Sequence, residues 1–503
     1  MFQMRRQTVT LLTTSQMIAA DEQTVAGGKR SIELMEAAGA GVVREIRKRW
    51  EPRPTLVLCG PGNNGGDAYI VASLLDKAGW PVRVAAVSSS KDSTDDAKMA
   101  AAGWDGDVLD ISPDVLEGCD LIVDGIFGAG LSRDIEGVVS DTIRAINEMA
   151  IPTVAVDIPS GIHGDTGAIC GVAIKASLTV NFFCRRPGHW LYPGRRYVGQ
   201  SVVVDIGIPL NVLESIKPLI FENSPFVWGQ QYPVPADDGH KYDRGHAVVV
   251  SGTVGKTGAS RLAARAALRV GAGAVTLAGP PSSMFVNAAH LTAVMTETFR
   301  DLGELSDIIL KRMRSCVLVG PGNGVGEDTR DLTLQILSLS LPTVLDADAL
   351  TSFEANHHDL LEALHDRCVL TPHQGEFQRL FGEGFGKDKL SKALSSASKC
   401  NATIIVKGAD TVVASPDGRA VVNCNAPPEL ATAGSGDVLA GIVAGLLAQG
   451  MPTFEAACAG VWLHSASARE VRFGLIAEDI AEALPASIRD LFSRYGEFFE
   501  VKS

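Results

Sequence analysis

The amino-acid sequence predicts two consecutive α/β domains, each built on a mostly parallel β-sheet. Its 503 residues exceed the usual size of one domain, which is about 100–200 residues. Short unbroken apolar segments alternate with segments of helical length, a pattern typical of parallel strands covered on both faces. Many of the 52 glycines directly follow these apolar segments, where α/β proteins place ligand-binding turns.

The first half begins with a predicted helix over Ser15 to Trp50. Strands and helices then alternate, with a helix over Tyr69 to Ala78 after the first strand. The predicted strands are Thr55–Cys59, Val82–Val87, Leu121–Asp124, Thr153–Asp157, Leu178–Asn181 and Val202–Asp205.

Residues 225–243 interrupt the alternation, because prolines, paired acids and aromatics occur there without periodicity. This composition is typical of an interdomain linker. We therefore expect one domain over residues 1–224 and another over residues 244–503. The strands predicted in the second domain, before a helix from about Gly436, are Ala247–Ser251, Ala274–Ala278, Cys316–Gly320, Thr343–Asp346, Cys368–Thr371 and Thr403–Lys407.

The formal net charge of −13, without a Lys/Arg run to offset it, argues against nucleic-acid binding. Nine scattered cysteines without a Cys-x-x-Cys pair indicate reduced thiols, not a disulfide framework or a zinc site. No apolar run reaches the roughly 18 residues of a membrane span, and residues 1–12 do not resemble a signal peptide. We expect a cytoplasmic homo-oligomer without membrane or nucleic-acid partners.

Polar residues follow three predicted strands of the first half. The glycine-rich turn Gly60–Asp67 follows one strand, and Asp124 and Asp157 end two others. Because carboxyl ends of parallel strands meet at one sheet edge, Asn64, Asp124 and Ser160 are candidate oxygen ligands for a hard cation. Asp157 is a candidate general acid or base. A plain strand–helix turn with helix-capping residues is the structural alternative.

These segments resemble the N-terminal domain of the YjeF family, the NAD(P)H-hydrate epimerases. The resemblance covers about Leu11 to Phe221 and departs from the family at Ala68, where a glycine is usual. It is carried by Gln16, Met17, Asp21, Leu34-Met35-Glu36, Ala38-Gly39, the Gly60–Asp67 turn, the Asp124 loop and Asp157–Gly161.

The resemblance implies a Rossmann-like domain that interconverts the R and S epimers of hydrated NADH or NADPH. It implies that Asp157 faces the nicotinamide as a catalytic residue and that Asn64, Asp124 and Ser160 bind potassium. The usual Gly-x-Gly-x-x-Gly fingerprint does not carry this assignment, so hydride transfer is not indicated. The implied substrate-binding residues are Asn63, Asn64, Gly65, Gly66, Asp67, Gly128, Ala129, Gly130, Leu131, Ser132, Arg133, Asp134 and Asp157.

The segment Ala433–Gly441 is the strongest signal in the second half, because its glycines immediately precede a long apolar helix. Backbone N–H groups at such a helix start bind phosphoryl groups. Asp437, at the same start, is placed to accept the proton of an attacking hydroxyl. A glycine-rich helix cap with a dipole-favouring aspartate is the structural alternative.

This segment resembles the anion hole of the ribokinase-like superfamily, and the second half is similar to its NAD(P)H-hydrate dehydratases. The resemblance covers about Tyr232 to Ala486, with a departure at Pro427-Pro428, where the family is rich in asparagine. Further matching segments are His240–His246, Gly258-Ala259, Gly271–Gly273, Gly320–Gly324, Asp346–Leu350, Thr371–Glu376 and Lys407–Thr411.

The resemblance implies ADP-dependent dehydration of the S hydrate to NAD(P)H with release of AMP and phosphate. Magnesium accompanies the ADP, and eukaryotic members use ATP instead. Asp437 would be the base for phosphorylation of the ring hydroxyl, which turns it into a good leaving group. The implied substrate-binding residues are Ala259, Gly324, His373 and Asp437, and the nucleotide-binding residues are Lys407, Gly408, Ala409, Asp410, Thr411 and Gly436.

Two other functions are weighed against this one. The chain could be a small-molecule kinase fused to a nucleotide-binding domain, or its first half could be a binding module without catalysis. The epimerase-like half argues against the first alternative, and Asp124 and Asp157 argue against the second. Four of these residues also have a purely structural interpretation: His373 as a hydrogen-bonded histidine, Lys407 as a surface lysine, and Asp346 and Asp348 as helix caps. The functional interpretation of Asp346 and Asp348 is that they hold magnesium through water.

Overall fold

The structure is a computed structural model that describes residues 7–87, 94–312, 315–382, 386 and 388–499. It separates into two compact units, Met1–Ile220 and Phe221–Ser503. Residues 225–243, expected to be a linker, therefore group with the second unit.

The first part of this expected linker is packed. Pro225–Trp228 is helical, and the side chain of Trp228 is fully buried in the core of the second unit. The rings of Phe226 and Tyr495 meet edge to face with centroids 5.6 Å apart, and Tyr232 is also buried. The aromatic residues that break the periodicity attach the first part of this segment to the core. A lack of periodicity here therefore does not indicate an unpacked segment.

The first unit consists of helices around one parallel sheet. Its elements are α1 (Thr14–Ala26), α2 (Ser31–Arg47), β1 (Thr55–Cys59), α3 (Asn63–Lys77), β2 (Val82–Ala86), α4 (Asp95–Ala102), β3 (Val108–Asp110), β4 (Leu121–Gly125), α5 (Gly137–Met149), β5 (Thr153–Val156), β6 (Leu178–Phe182), β7 (Gln200–Val204) and α6 (Val212–Ile216).

The seven strands are ordered β3-β2-β1-β4-β5-β6-β7 and pair in parallel. Leu56 and Leu58 of β1 pack on one side of this sheet, and Val57 and Cys59 pack on the other. Successive strand residues point to opposite faces, so both faces are buried, as the unbroken apolar strands predicted. The strand order changes direction between β1 and β4, and this topological switch point opens a crevice at the carboxyl ends of the two strands.

Two predicted helices of this unit have different bounds. The helix expected over Ser15 to Trp50 is two helices, since the chain turns at Gly28, where φ is +100°. The helix expected to begin at Tyr69 begins at Asn63. Gly65, Gly66 and Asp67 therefore belong to its first turns.

The second unit is a larger sheet flanked by helices. Its elements are β8 (Ile220–Glu222), which starts at the boundary residue, α7 (Pro225–Trp228), β9 (His246–Val250), α8 (Thr257–Arg269), β10 (Ala274–Gly279), α9 (Pro281–His290), β11 (Met295–Thr298), α10 (Leu302–Leu310), β12 (Ser315–Val319), α11 (Glu327–Ser338), β13 (Thr343–Leu345), α12 (Asp348–Thr351), α13 (His357–Ala363), β14 (Cys368–Leu370), α14 (Gln374–Phe381), α15 (Lys389–Cys400), β15 (Thr403–Val406), β16 (Val412–Ala414), β17 (Ala420–Val422), α16 (Ser435–Ala448), α17 (Thr453–Val471) and α18 (Ala477–Tyr495).

The ten strands are ordered β11-β10-β9-β12-β13-β14-β15-β16-β17-β8. The run from β11 to β15 is parallel, and β16 and β17 continue it in antiparallel pairing. Helices α8 and α16 pack closely in the core, where a Cβ built at Gly441 would lie 2.1 Å from the carbonyl oxygen of Ala263. The mixed α/β architecture with mainly parallel sheets is the predicted one.

All nine cysteines are free thiols, and every one except the half-buried Cys424 is buried. Within the described ranges, no helix is both long and apolar enough to span a membrane.

Candidate active sites

A cavity of about 790 Å³ lies in the first unit where β1 and β4 end. Its lining includes Asp21 of α1 and Arg186, which sequence analysis did not assign to the site. The predicted substrate-binding residues that line it are Asn63, Asn64, Asp67, Gly128, Ala129, Gly130, Leu131, Ser132, Arg133 and Asp157.

Gly65, Gly66 and Asp134 are not among the lining residues of the cavity. A Cβ at Gly65 would lie 1.9 Å from the carbonyl oxygen of Gly60, and one at Gly66 would lie 2.6 Å from Cε of Met35. Gly65 allows α3 to start directly after β1, and Gly66 allows α3 to pack against α2, so the role of both glycines in the structure is packing. Asp134 is exposed.

Ala68, the departure from the family pattern, is fully buried. Its methyl group faces Gly125, where an added Cβ would approach it to 2.4 Å. The methyl group fits because the facing residue has no side chain.

Asp124 and Ser160 are joined beneath the cavity. Ser160 Oγ donates to Asp124 Oδ1 at 2.5 Å, and Ser160 N donates to Asp124 Oδ2 at 2.8 Å. Both side chains are fully buried. Burial raises the pKa of Asp124 to about 6, although the hydrogen bonds from Ser160 and Ile126 lower it.

Asn64, the third predicted potassium ligand, lies beside the loop that follows Asp124. A Cβ built at Gly128 would lie 3.5 Å from Asn64 Oδ1. The side-chain nitrogen of Asn64 is buried, and the described residues offer it no hydrogen-bond partner. Rotating the amide by a half-turn exchanges this nitrogen for an oxygen, which would place an acceptor there.

Asp157 is held by Arg186 and His189. Arg186 Nη2 donates to Asp157 Oδ1 at 3.0 Å, and His189 Nε2 lies 2.9 Å from the carbonyl oxygen of Asp157. Asp157 has φ +62°, a left-handed conformation that non-glycine residues adopt mainly at constrained sites. Burial lowers the pKa of His189 to about 4.

Asp437 lies in the first turn of α16 in the second unit. Burial raises the pKa of its carboxyl group to about 7, with Asp346 and Asp348 adding to the shift and Lys407 opposing it. The preceding Gly434 has φ +85°, and a Cβ there would lie 2.9 Å from Leu262 Cδ1. The close approach of α8 and the left-handed backbone both require glycine at this position.

Lys407 is not a surface lysine, because its side chain is 20% exposed and pairs with Asp346. The Nζ–Oδ1 distance is 2.8 Å, and Thr371 Oγ1 donates to the same oxygen at 2.6 Å. Burial disfavours the charged lysine, but Asp346 outweighs it and raises the pKa of Lys407. A Cβ at Gly436 would lie 3.3 Å from Nζ, so Lys407 reaches the start of α16.

Asp348 and Gly324 meet on the neighbouring loops, where Gly324 N donates to Asp348 Oδ2 at 2.7 Å. Between the two aspartates, Ala347 has φ +48° and ψ −116°, a conformation that costs a non-glycine residue energy. Lys256, just before α8, lies near Gly324, since a Cβ there would be 3.5 Å from Lys256 Nζ. Ala259, in the first turn of α8, is half-buried.

His373 has a structural role that the sequence allowed. Its Nδ1 accepts from Gly375 N at 2.9 Å and from Glu376 N at 3.1 Å, which caps α14. Its side chain remains 54% exposed, and a backbone bridge to Lys407 brings it next to the loop Lys407–Thr411, which the sequence predicts to bind the nucleotide.

The loop Lys407–Thr411 is held by a contact within the loop and by one to α15. Thr411 Oγ1 donates to the carbonyl oxygen of Gly408 at 2.8 Å, and Asp410 pairs with Lys389 at 2.6 Å. Of the predicted nucleotide-binding residues, Lys407 and Gly436 lie next to each other, whereas Asp410 is turned toward Lys389 of α15.

Both halves match described families. Residues 31–188 match the YjeF-related protein N-terminus, and residues 247–485 match NAD(P)H-hydrate dehydratase. The bifunctional NAD(P)H-hydrate repair enzyme Nnr of Salinibacter ruber (strain DSM 13855 / M31) is 35% identical, with 97% of each chain covered. The chain belongs to the bifunctional NAD(P)H-hydrate repair enzymes.

A second repair enzyme of this family, from Moorella thermoacetica (strain ATCC 39073 / JCM 9320), is 36% identical over 92% of this chain and 93% of its own. A solved ribokinase-like superfamily protein from Enterococcus faecalis V583 is 26% identical, with a TM-score of 0.47, and covers 52% of this chain and 92% of its own. The family predicted from the sequence is confirmed for both halves, which favours the repair enzymes over a small-molecule kinase.

Proposed function

We propose that the chain repairs hydrated NADH and NADPH at two sites, with epimerisation in the first unit and nucleotide-dependent dehydration in the second. One observation carries the second activity: the carboxylate of Asp437 lies at a glycine-lined helix start that Lys407 also reaches. Such a helix start binds a phosphoryl group through its N–H groups, and the carboxylate is placed to activate a hydroxyl beside it.

In the dehydratase site, Asp437 takes the proton from the ring hydroxyl while that oxygen attacks the terminal phosphorus of ADP, whose bond to the bridging oxygen breaks so that AMP leaves. The pKa of about 7 suits a base that works near neutral pH. The N–H groups of Ser435 to Asp437 and the ammonium of Lys407 stabilise the charge on the transferred group. The C–O bond of the resulting phosphate ester then breaks, phosphate leaves with the electron pair, and loss of a proton from the neighbouring ring carbon restores the dihydronicotinamide.

Magnesium that accompanies the nucleotide would be held by Asp346 and Asp348. These carboxylates supply the hard oxygen donors that Mg²⁺ prefers, together with substrate phosphates and water. Throughout the described ranges, no group of three or more His, Cys, Asp or Glu is arranged to hold a metal by itself. The residues therefore fit an ion that arrives with the nucleotide and neutralises its phosphates.

In the epimerase site, the cavity holds the hydrated nicotinamide next to Asp157. Potassium would be held by Asn64, Asp124 and Ser160, and the buried Asn64 nitrogen without a partner supports this, because flipping its amide supplies the missing oxygen. One carboxylate with neutral oxygens suits a monovalent cation. The ion would fix the loops that follow β1, β4 and β5.

The proposed function is tested by product analysis with the purified full chain. With ADP and the S hydrate, we expect AMP, phosphate and reduced nicotinamide to form in equal amounts. Without nucleotide, we expect the R and S hydrates to interconvert while reduced nicotinamide does not form. Failure of both reactions would overturn the proposal.

A further inference from the structure

The guanidinium group of Arg186 lies at the wall of the cavity in the first unit, and the family resemblance assigns it no role. Arg186 is 3% exposed and lines the cavity. It donates from Nη2 to Asp157 Oδ1 at 3.0 Å and from Nη1 to the carbonyl oxygen of Cys184 at 2.5 Å. Its Nε is buried, and no described residue supplies an acceptor for it. Unsatisfied buried donors are rare in folded proteins, and at a cavity wall they point to a binding site.

The position of Asp157 depends on this arginine. His189 accepts at Nδ1 from the backbone N–H of Arg186 at 2.9 Å and reaches the carbonyl oxygen of Asp157 with its other ring nitrogen at 2.9 Å. Side chain and backbone of Asp157 are therefore both fixed by the segment that follows β6. This arrangement leaves Asp157 one defined orientation toward the cavity.

Asp21 approaches the same cavity from α1. Burial raises the pKa of Asp21 to about 6, Arg186 lowers it and Asp157 raises it further, so Asp21 lies within electrostatic range of both. Asp67, another carboxyl group in the lining, is more deeply buried, and burial together with Asp157 and Asp21 raises its pKa well above the usual range. Asp21 is half-buried and can exchange its proton with solvent during turnover.

The chemistry of epimerisation calls for two proton-transfer groups. Water that adds to an enamine places the hydroxyl on the carbon bonded to nitrogen, and the nitrogen lone pair can expel it again. Inversion at that carbon requires an acid where the hydroxyl departs and a base where water returns on the opposite face. One fixed carboxylate serves only one face.

On the basis of the proposed epimerase function, we propose that Asp21 and Asp157 act as an acid–base pair on opposite faces of the reacting carbon, with Arg186 positioning Asp157. In one direction, Asp21 gives its proton to the hydroxyl oxygen. The C–O bond breaks, water leaves, and the nitrogen lone pair forms an iminium. A second water then forms the new C–O bond while Asp157 takes its proton. In the other direction, Asp157 is the acid and Asp21 is the base. After each turnover, exchange with solvent returns a proton to the acid and removes one from the base.

The test follows the conversion of R to S hydrate by the full chain without adenine nucleotide, with chromatographic separation of the epimers. Asp21→Asn should lower kcat by at least about 100-fold, within the range of general acid–base catalysis, with KM little changed. Glu22→Gln, at the exposed neighbour of Asp21, should retain the wild-type rate. Arg186→Lys should retain more activity than Arg186→Gln, because only lysine can still pair with Asp157.

Two measurements on the wild-type enzyme are independent of whether a variant folds. In ¹⁸O-water, the product should carry the label in its new hydroxyl group, and retention of the original oxygen would overturn the proposed bond cleavage. The rate should change across about pH 6, where Asp21 titrates. The other charged or titratable groups around the site are Asp67, Asp157, Glu22, His189 and Arg186. The Asp21→Asn profile should lack this change.

The outcomes separate this inference from the function on which it rests. If the wild-type chain epimerises and Asp21→Asn does so equally well, the acid–base pair is wrong and the epimerase function stands. If the wild-type chain does not epimerise, the epimerase function and the acid–base pair both fall.

Discussion

Lys407 and Asp346 form an ion pair at 2.8 Å whose lysine end reaches the first turn of α16. The pair joins the end of β15 to the end of β13, and Thr371 completes it with a hydrogen bond. The ammonium group thereby lies next to Gly436, the residue before Asp437, and lowers the pKa of the Asp437 carboxyl group.

Replacing Lys407 with methionine should move the acid limb of dehydratase activity to higher pH. Lys407 opposes the upward shift of the Asp437 pKa, so its loss leaves the base protonated over a wider range. The measurement is kcat for dehydration between pH 5 and 9. Lys311→Met, at an exposed lysine just after α10, is the matched control. An unchanged limb in Lys407→Met would show that the ammonium does not act on Asp437.

Wild-type dehydratase activity should itself rise with pH through about 7. Burial raises the Asp437 pKa to that value, and a base acts only when deprotonated, so activity is low below it and full above it. Asp437→Asn should reduce dehydration by at least about 100-fold and leave epimerisation intact. Asp307→Asn, at an exposed aspartate of α10, is the control. Loss of epimerisation in Asp437→Asn would contradict the assignment of two separate sites.

Gly434→Ala should weaken nucleotide use and destabilise the second unit. The φ of +85° costs an alanine about 1–2 kcal/mol, and the new Cβ would lie within 3.0 Å of Ala477 Cβ. Thermal unfolding and KM for the nucleotide are the measurements. Gly255→Ala is the control, since no atom lies within 4 Å of an added Cβ there. Equal behaviour of the two variants would count against the close packing of the α16 start.

Potassium should stabilise the first unit more at pH 8 than at pH 5. The pKa of Asp124, raised to about 6 by burial, means that the carboxyl group is protonated in the folded protein at pH 5. Without the ion, the protein loses stability as pH rises through about 6, because the buried carboxyl group then becomes charged. A cation that needs the carboxylate binds above this pH and offsets the loss. The test is the potassium-induced rise in Tm, with Ser160→Ala as the variant expected to lose it. A rise that is larger at pH 5 would argue against Asp124 as a ligand.

The sequence predicted most of the fold because buried parallel strands are unbroken apolar segments. Thr55–Cys59 was predicted with its observed bounds. Short strands were missed where few residues carry the signal, as in Val108–Asp110, whose residues are all exposed. The antiparallel pair Val412–Ala414 and Ala420–Val422 was also missed, because three residues set no clear period.

The candidate sites were predicted to the extent that motifs lie at strand ends. Asp124 and Asp157 lie at strand ends, and Asp437 carries a separate signal at a glycine-rich helix start. Arg186 was missed although it follows β6 in the same way, because a lone arginine has no motif to mark it. Asp21 was part of the resemblance but lies on a helix remote in sequence from the cavity loops, and only the folded chain brings it there.

The central claim is tested most directly by giving the full chain a mixture of R and S hydrates with ADP or ATP and following the absorbance of reduced nicotinamide. If one chain holds both activities, absorbance should return in an amount equal to the whole mixture. The Asp157→Asn chain should fall back to the amount set by the S hydrate and by spontaneous epimerisation. Stoichiometric phosphorylation of a vitamin or sugar, with the hydrates untouched, would contradict the account.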